Sequence, residues 1–129
     1  MSTGQSLLQF DEVDGVVVAT FVDKQILNEI NIEAIGKQLF ALVDDQHRKR
    51  IILNFSHVDY MSSAALGKLI KLDKKVAAAQ AKLRMCCIRP DVYETFSLLR
   101  LETRFDIKGT LEEALEGFQP PSETPPSGT

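Results

Sequence analysis

The sequence lacks features on which several common function classes depend. Its 129 residues contain no tryptophan, two cysteines and no apolar run approaching the ~20 residues that cross a bilayer. Residues 1–6 have neither the basic start nor the apolar middle of a signal peptide. We therefore expect a cytoplasmic protein that does not bind a membrane.

The net charge and the absence of known motifs argue against nucleic-acid-binding, nucleotide-binding and metal-binding proteins. The chain carries 15 Lys and Arg against 18 Asp and Glu, a net charge of −3, so it has no basic field for holding nucleic acid. Glycine-rich nucleotide loops, the His-Glu-x-x-His zinc motif and paired-cysteine metal spacings are absent. Cys86 and Cys87 are adjacent, and on a strand they would face opposite sides as reduced thiols. We expect no cofactor, no metal ion and no nucleic-acid partner.

Apolar periodicity predicts a single α/β domain over residues 1–118. Asp14 and Gly15 are typical of the two-residue turn of a β-hairpin, so the sheet should open with an antiparallel pair. Three strand–helix alternations follow, which predict a mixed β-sheet covered by about four helices. Residues 119–129, rich in Pro and Ser, have almost nothing to bury and should form a disordered tail.

The individual elements follow from apolar spacing and capping residues. Strands are expected at 7–13, 16–22, 51–55, 82–88 and 105–107. A helix capped by Asn28 or Asn31 should come between the second and third strands. Thr110 and Glu113 should form a capping box at the last helix. The residues expected to be buried by the helices are Ile32, Ile35, Leu39, Leu42 and Val43, then Ala65, Leu69, Leu72, Val76 and Ala79, then Val92, Phe96 and Leu99, and finally Leu111, Ala114, Leu115 and Phe118.

The most informative stretch runs from the strand at 51–55 into a helix that begins with two serines. Ser62 is a good N-cap, because its hydroxyl can accept from the free N–H groups of the first turn. Ser63 then becomes the first helical residue and has an exposed hydroxyl. A helix N-terminus carries about +0.5 of an elementary charge, so Ser63 can carry a phosphate without unfolding the helix.

A serine at a strand-to-helix turn is also found in hydrolases, and His57 and Asp59 lie nearby in the sequence. The Gly-x-Ser-x-Gly motif is absent, however, and no Gly-rich oxyanion loop is visible. His57 and Asp59 lie in the same short connection as Ser63, where the fold gives them no reason to align. We therefore predict that the protein is not an enzyme and has no catalytic residues.

At these serines the chain resembles the STAS domain family, and within it the bacterial anti-sigma-factor antagonists. The family signature, apolar-Met-Asp-Ser-Ser-Gly-Leu-Gly, lies on the same frame as Tyr60-Met61-Ser62-Ser63-Ala64-Ala65-Leu66-Gly67. The differences are Ser62 for Asp, Ala64 for Ser and Ala65 for Gly. A weaker family motif, Gly-x-Leu-Asp, matches at Leu27, with Asn28 in place of its Asp.

The resemblance implies the STAS fold and a switch controlled by phosphate. Ser63 matches the serine that the family phosphorylates, and Ser62 is the second choice. The implied partner is an anti-sigma factor of the serine-kinase type, bound by the unphosphorylated form and released by the phosphorylated one. A serine phosphatase is a further candidate partner. The surface implied to contact the partner comprises Leu27, Asn28, Met61, Ser62, Ser63, Ala64, Ala65, Leu66, Gly67 and Lys68.

Two questions stay open at this level. The altered residues around Ser63 also fit a STAS scaffold or sensor subunit of a larger assembly that has no kinase switch. The protein is expected to be either a monomer or a weak dimer. Lys68, Lys71, Lys74 and Lys75 form a basic face on the helix that follows the serines. Such a face is usually only solvated, but it also suits an acidic partner surface.

Overall fold

The computed structural model describes residues 7–118 of the chain, so the predicted tail at 119–129 lies outside the described residues. In chain order the elements are β1 (Leu8–Val13), β2 (Val16–Phe21), β3 (Gln25–Ile26), α1 (Glu29–Asp44), β4 (Arg50–Asn54), β5 (Tyr60–Met61), α2 (Ser63–Ala78), β6 (Lys82–Cys86), α3 (Pro90–Leu98), a 3₁₀ turn (Leu101–Thr103), β7 (Asp106–Lys108) and α4 (Leu111–Leu115). None of the helices within this range is long and apolar enough to cross a membrane.

Five strands form the main sheet in the order β1-β2-β4-β6-β7. β1 is antiparallel to β2, and every other neighbouring pair is parallel. The hairpin turn places Asp14 at φ 51° and Gly15 at φ 83°. Both values lie in the left-handed region that a two-residue hairpin turn requires, and Gly and Asp tolerate it. The predicted mixed sheet with an opening antiparallel hairpin is confirmed.

The sheet carries a large core on one face and a small one on the other. Helices α1, α2 and α3 cover the large core, where four phenylalanines form a continuous row. Phe21 and Phe55 have ring centroids 4.8 Å apart, and Phe96 lies 6.0 Å from both Phe55 and Phe105. On the opposite face α4 packs Ala114 onto β2, β4 and β6. The four predicted helices are therefore confirmed.

A second, two-stranded sheet was not predicted. β3 pairs with β5 in parallel, with Gln25 opposite Tyr60 and Ile26 opposite Met61. Its strands are too short for their own apolar alternation to show in the sequence. The pair joins two connections that are far apart along the chain, and both connections lead directly into helices.

Two predictions about α3 and α4 are wrong in detail. Leu99, expected in the core, is 51% exposed, because α3 ends at Leu98 and the chain turns at Arg100, which has φ 61°. Leu101 is buried instead. In the capping box the N–H of Glu113 donates to the Thr110 hydroxyl as expected, at 3.1 Å. The Glu113 carboxylate, however, accepts from the N–H of Gly109 at 3.0 Å.

The cysteine prediction also needs correction. β6 ends at Cys86 rather than at residue 88, because Cys87 has φ 63° and turns the chain out of the sheet. Cys86 is buried in the small core, and Cys87 packs against that same core instead of facing the opposite side. Both thiols are free. Burial, together with the neighbouring Cys87 thiol, raises the pKa of Cys86.

Candidate functional site

The site is built where two helices begin side by side. Because β3 and β5 pair in parallel, the chain leaves both strands at the same edge and enters α1 and α2 there. The N–H of Ser62 donates to the carbonyl of Ile26 at 3.0 Å, which fixes one helix start to the other. The amide N–H groups of Asp59 and Tyr60 both donate to the carbonyl of Lys24, at 2.7 and 3.2 Å.

Each helix start has its own side-chain cap. Asn28 caps α1, and its side-chain oxygen accepts from the N–H of Asn31 at 3.1 Å. Ser62 caps α2, and its hydroxyl oxygen accepts from the N–H of Ala65 at 3.3 Å. Asn and Ser are among the preferred N-cap residues, so local chemistry alone accounts for both starts. The predicted capping role of Ser62 is confirmed.

Ser63 is the first residue of α2 and is exposed. Among residues 7–118 its hydroxyl has no hydrogen-bond partner, whereas the oxygen of half-buried Ser62 is engaged by the helix. The first turn of α2 contains no acidic residue. Asp59, the nearest carboxylate along the chain, pairs with Arg89 at 3.2 Å. The surroundings of Ser63 are therefore dominated by the positive end of the helix dipole.

The other predicted contact residues separate into a surface group and a supporting group. Met61, Ala65 and Leu66 are buried in the large core and support the serines from below. Leu27, Asn28, Ala64 and Gly67 are exposed around Ser63. Lys68 is half-buried because it lies across α1 and binds Glu33 at 3.0 Å.

Two exposed apolar side chains at this edge were missed by the sequence analysis. Ile30, in the first turn of α1, is 79% exposed, and Tyr60 in β5 is 50% exposed. Ile30 falls out of phase with the buried stripe that starts at Ile32, and this signal was available in the sequence. With Leu27, which is 51% exposed, they give the edge at which α1 and α2 begin an apolar character.

Among residues 7–118 no hydrogen bond joins Ser63 to His57 or Asp59, the residues of the hydrolase alternative. His57 is exposed, and Asp59 is engaged by Arg89. Ser56, beside His57, instead donates its backbone N–H to the Asn54 side chain at 2.9 Å, closing a tight turn. Within the described part of the chain no group of three or more potential metal ligands was found.

Comparison with known proteins identifies the fold and the family. A family model for the STAS domain matches residues 8–114. The chain belongs to the STAS family. It is 30% identical over 112 residues to BtrV of Bordetella bronchiseptica, a protein named as an anti-sigma factor antagonist, covering 87% of this chain and 94% of BtrV. This relationship places the STAS protein among the anti-sigma factor antagonists, a family that regulates transcription.

Solved structures agree on the fold. An anti-sigma factor antagonist from Thermotoga maritima superposes with a TM-score of 0.77 at 23% identity, covering 86% of this chain and 93% of the other. The anti-sigma factor antagonist SpoIIAA, in its unphosphorylated form, superposes with a TM-score of 0.71 at 20% identity, covering 84% of this chain and 93% of SpoIIAA. The predicted STAS fold is therefore confirmed.

Proposed function

We propose that this STAS protein binds an anti-sigma factor of the serine-kinase type and that phosphate on Ser63 releases it. The unphosphorylated form would hold the anti-sigma factor and leave a sigma factor free for transcription. The kinase, a serine phosphatase that resets the switch, and the cytoplasmic setting in which they act are parts of this proposal.

One observation carries the proposal more than any other: the two adjacent serines have different environments. Ser62 uses its oxygen to cap α2, while the hydroxyl of Ser63 is exposed and has no partner within residues 7–118. A kinase needs an accessible hydroxyl that can attack a nucleotide phosphate, and only Ser63 provides one here. The adjoining helix N-terminus tolerates the added negative charge.

Release follows from electrostatics at an interface. A phosphoserine carries about −1.5 to −2 charges at pH 7, and these must lose water when a partner covers them. The exposed part of the proposed contact surface is formed by Leu27, Asn28, Ala64, Gly67 and the apolar side chains of Ile30 and Tyr60, and its one cation, Lys68, is already paired with Glu33. The surface therefore offers no cation dedicated to a phosphate. Burying the phosphate there would be unfavourable, and the complex should dissociate.

The test uses the serine-kinase-type anti-sigma factors of the source cell, purified and incubated with the protein, ATP and Mg²⁺. Mass spectrometry should locate the phosphate on Ser63, and Ser63→Ala should abolish it. Ser62→Ala is the matched control, because it removes the neighbouring hydroxyl and should leave phosphorylation in place. Phosphate on Ser62, or undiminished phosphate in Ser63→Ala, would refute the assignment. Ser63→Asp that binds as tightly as the wild type would refute the switch.

A second candidate is a STAS scaffold or sensor subunit without a kinase switch. It is favoured by Asn28 and Ser62, which stand where the family has Asp, and by exposed leucines at the end of α3. Leu98 is 78% exposed and Leu99 is 51% exposed. Light scattering distinguishes the two proposals, because a large stable assembly that no kinase modifies favours the scaffold. A monomer or weak dimer that is phosphorylated favours the switch.

A further inference from the structure

The outward side of α2 forms a continuous column that begins at the candidate phosphorylation site. At 100° per residue, Ser63, Gly67, Lys71 and Lys74 fall within one arc of about 80°. Four of the five buried residues of α2 lie on the opposite side, and all four members of the column are exposed. The column, which we call the lysine column, extends about 16 Å from Ser63 to Lys74.

The column carries positive charge that no ion pair within residues 7–118 neutralises, although Lys71 is close enough to help lower the pKa of Glu33. α2 contains four lysines and one aspartate in a chain whose net charge is −3. Lys68 and Lys75 are paired with Glu33 and Asp44, at 3.0 and 2.9 Å. The two lysines of the column form no ion pair with any residue between 7 and 118.

The position of Lys71 is partly fixed, as is that of its neighbour Lys75. The Lys71 ammonium lies 5.5 Å from the centroid of the Phe40 ring, and the Lys75 ammonium lies 5.3 Å from the same centroid. A ring face that attracts two cations holds positive charge against the surface between α1 and α2. Lys74 has no such partner among the described residues and projects into solvent.

Gly67 leaves the middle of the column without a side chain. A Cβ placed on Gly67 would meet no atom of residues 7–118 within 4 Å, so neither a close contact with the described domain nor a left-handed φ requires glycine here. Glycine in the interior of a helix is destabilising relative to alanine. Its presence at an exposed position is consistent with a partner that approaches the helix backbone closely between Ser63 and the lysines.

We infer that the lysine column is a docking surface for an acidic protein surface on the partner that senses Ser63. The inference rests on the proposed function, and charge complementarity selects the occupant. Lys71 and Lys74 attract the acidic surface, and Gly67 lets it come close. A phosphate on Ser63, at the head of the same column, then faces that acidic surface and repels it. The same electrostatics would thus give both recruitment and release.

The experiment measures association with a purified serine-kinase-type anti-sigma factor without nucleotide, at salt from about 50 to about 500 mM. Lys71→Gln/Lys74→Gln should slow association about tenfold at low salt and flatten its dependence on salt. The control, Arg50→Gln/Lys82→Gln, has the same net charge. Its residues are a neighbouring pair at the amino ends of β4 and β6, on the sheet face opposite α2. It should change association less than twofold.

Carbodiimide cross-linking, which joins lysine amines directly to carboxylates, gives a second readout. Lys71 and Lys74 should cross-link to Asp or Glu of the anti-sigma factor, and Lys82 should not. If the anti-sigma factor binds the Lys71→Gln/Lys74→Gln variant and the wild type equally, the docking surface is wrong and the proposed function stands.

If no anti-sigma factor of this type binds, the proposed function fails, and cross-linking in extract of the source cell decides the docking surface. Cross-links from other lysines without any from Lys71 or Lys74 would then overturn it. Self-association that the double variant abolishes would also overturn it, because the occupant would be a second copy of this chain.

Discussion

Replacing Gly67 by alanine should stabilise the protein, although Gly67 lies in a family motif. The residue is exposed in the interior of α2, and an added Cβ would meet no atom of the described part of the chain within 4 Å. Alanine in a helix interior is favoured over glycine by about 0.5–1 kcal/mol, mainly through the lower conformational entropy of the unfolded chain. Nothing at this position opposes that gain. For a domain of this size it corresponds to a rise in Tm of about 2–5 °C.

Gly36 is the matched control, because it is also a helix-interior glycine. A Cβ there would lie 3.0 Å from Cδ of Lys68 and 3.5 Å from the Phe40 ring. Lys68 would have to move, which disturbs its ion pair with Glu33. The helix-propensity gain is therefore offset, and Gly36→Ala should stabilise the protein less than Gly67→Ala.

Thermal unfolding followed by far-ultraviolet circular dichroism, supported by urea titration, measures both variants. A Gly67→Ala protein that is less stable than the wild type would refute the reasoning. So would a Gly36→Ala protein that gains as much as Gly67→Ala. If Gly67→Ala is more stable and also binds its partner more weakly, then glycine at this position serves the contact and not the fold.

The remaining predictions concern the helix cap and two titrating groups. Ser62→Ala should lower the free energy of unfolding in urea by about 0.5–2 kcal/mol, because the cap is lost, while Ser63→Ala should change it little. The hydrogen bond and charge of Lys68 lower the pKa of Glu33. The ionised Glu33 carboxylate therefore stabilises the folded protein above pH about 4.3, and this stabilisation is lost as the pH falls through the lowered pKa. In Lys68→Met an NMR titration should show the Glu33 pKa returning upward, and an unchanged value would contradict the pairing. Because the pKa of Cys86 is raised in the folded protein, the unfolded chain loses the thiol proton first, and stability that is complete below pH about 8.5 is lost as the pH rises above that value. The free energy of unfolding of Cys86→Ala should therefore depend less on pH above about 8.5 than that of the wild type.

The sequence predicts those parts of the fold that are determined locally. Asp14 and Gly15 form the hairpin turn because both residue types accept a positive φ, which the turn needs whatever surrounds it. The stripe from Ile32 to Val43 is buried as expected, because five apolar positions in phase allow one orientation of α1. Ser62 caps α2 for an equally local reason.

The features that the sequence analysis missed depend on residues distant along the chain. β3 and β5 have two residues each, and their pairing joins Ile26 to Met61. The chain leaves the sheet at Cys87, which has a positive φ, and a cysteine in the sequence does not predict such a conformation. The exposure of Leu99 follows from the turn at Arg100, which no local pattern indicated.

The candidate site shows the same division between local and distant determinants. The capping of α2 by Ser62 and the exposure of Ser63 follow from their positions at one helix start, so both were predictable. The ion pair that draws Lys68 onto α1 depends on how α1 and α2 pack. The same packing determines that Lys71 and Lys74 form no ion pair within residues 7–118. Helical periodicity indicated a basic face, but it did not show which of its lysines are neutralised.

The way the site is supported indicates how the proposed switch would work. The β3–β5 pair and the bond from Ser62 to the carbonyl of Ile26 fix the start of α2 from within the fold. Below Ser63, Met61 and Leu66 are buried in the large core. A phosphate on Ser63 would displace none of these contacts, because the Ser63 hydroxyl makes no bond within residues 7–118. The switch we propose therefore acts by changing the charge of an unchanged surface, and it requires no rearrangement of the domain.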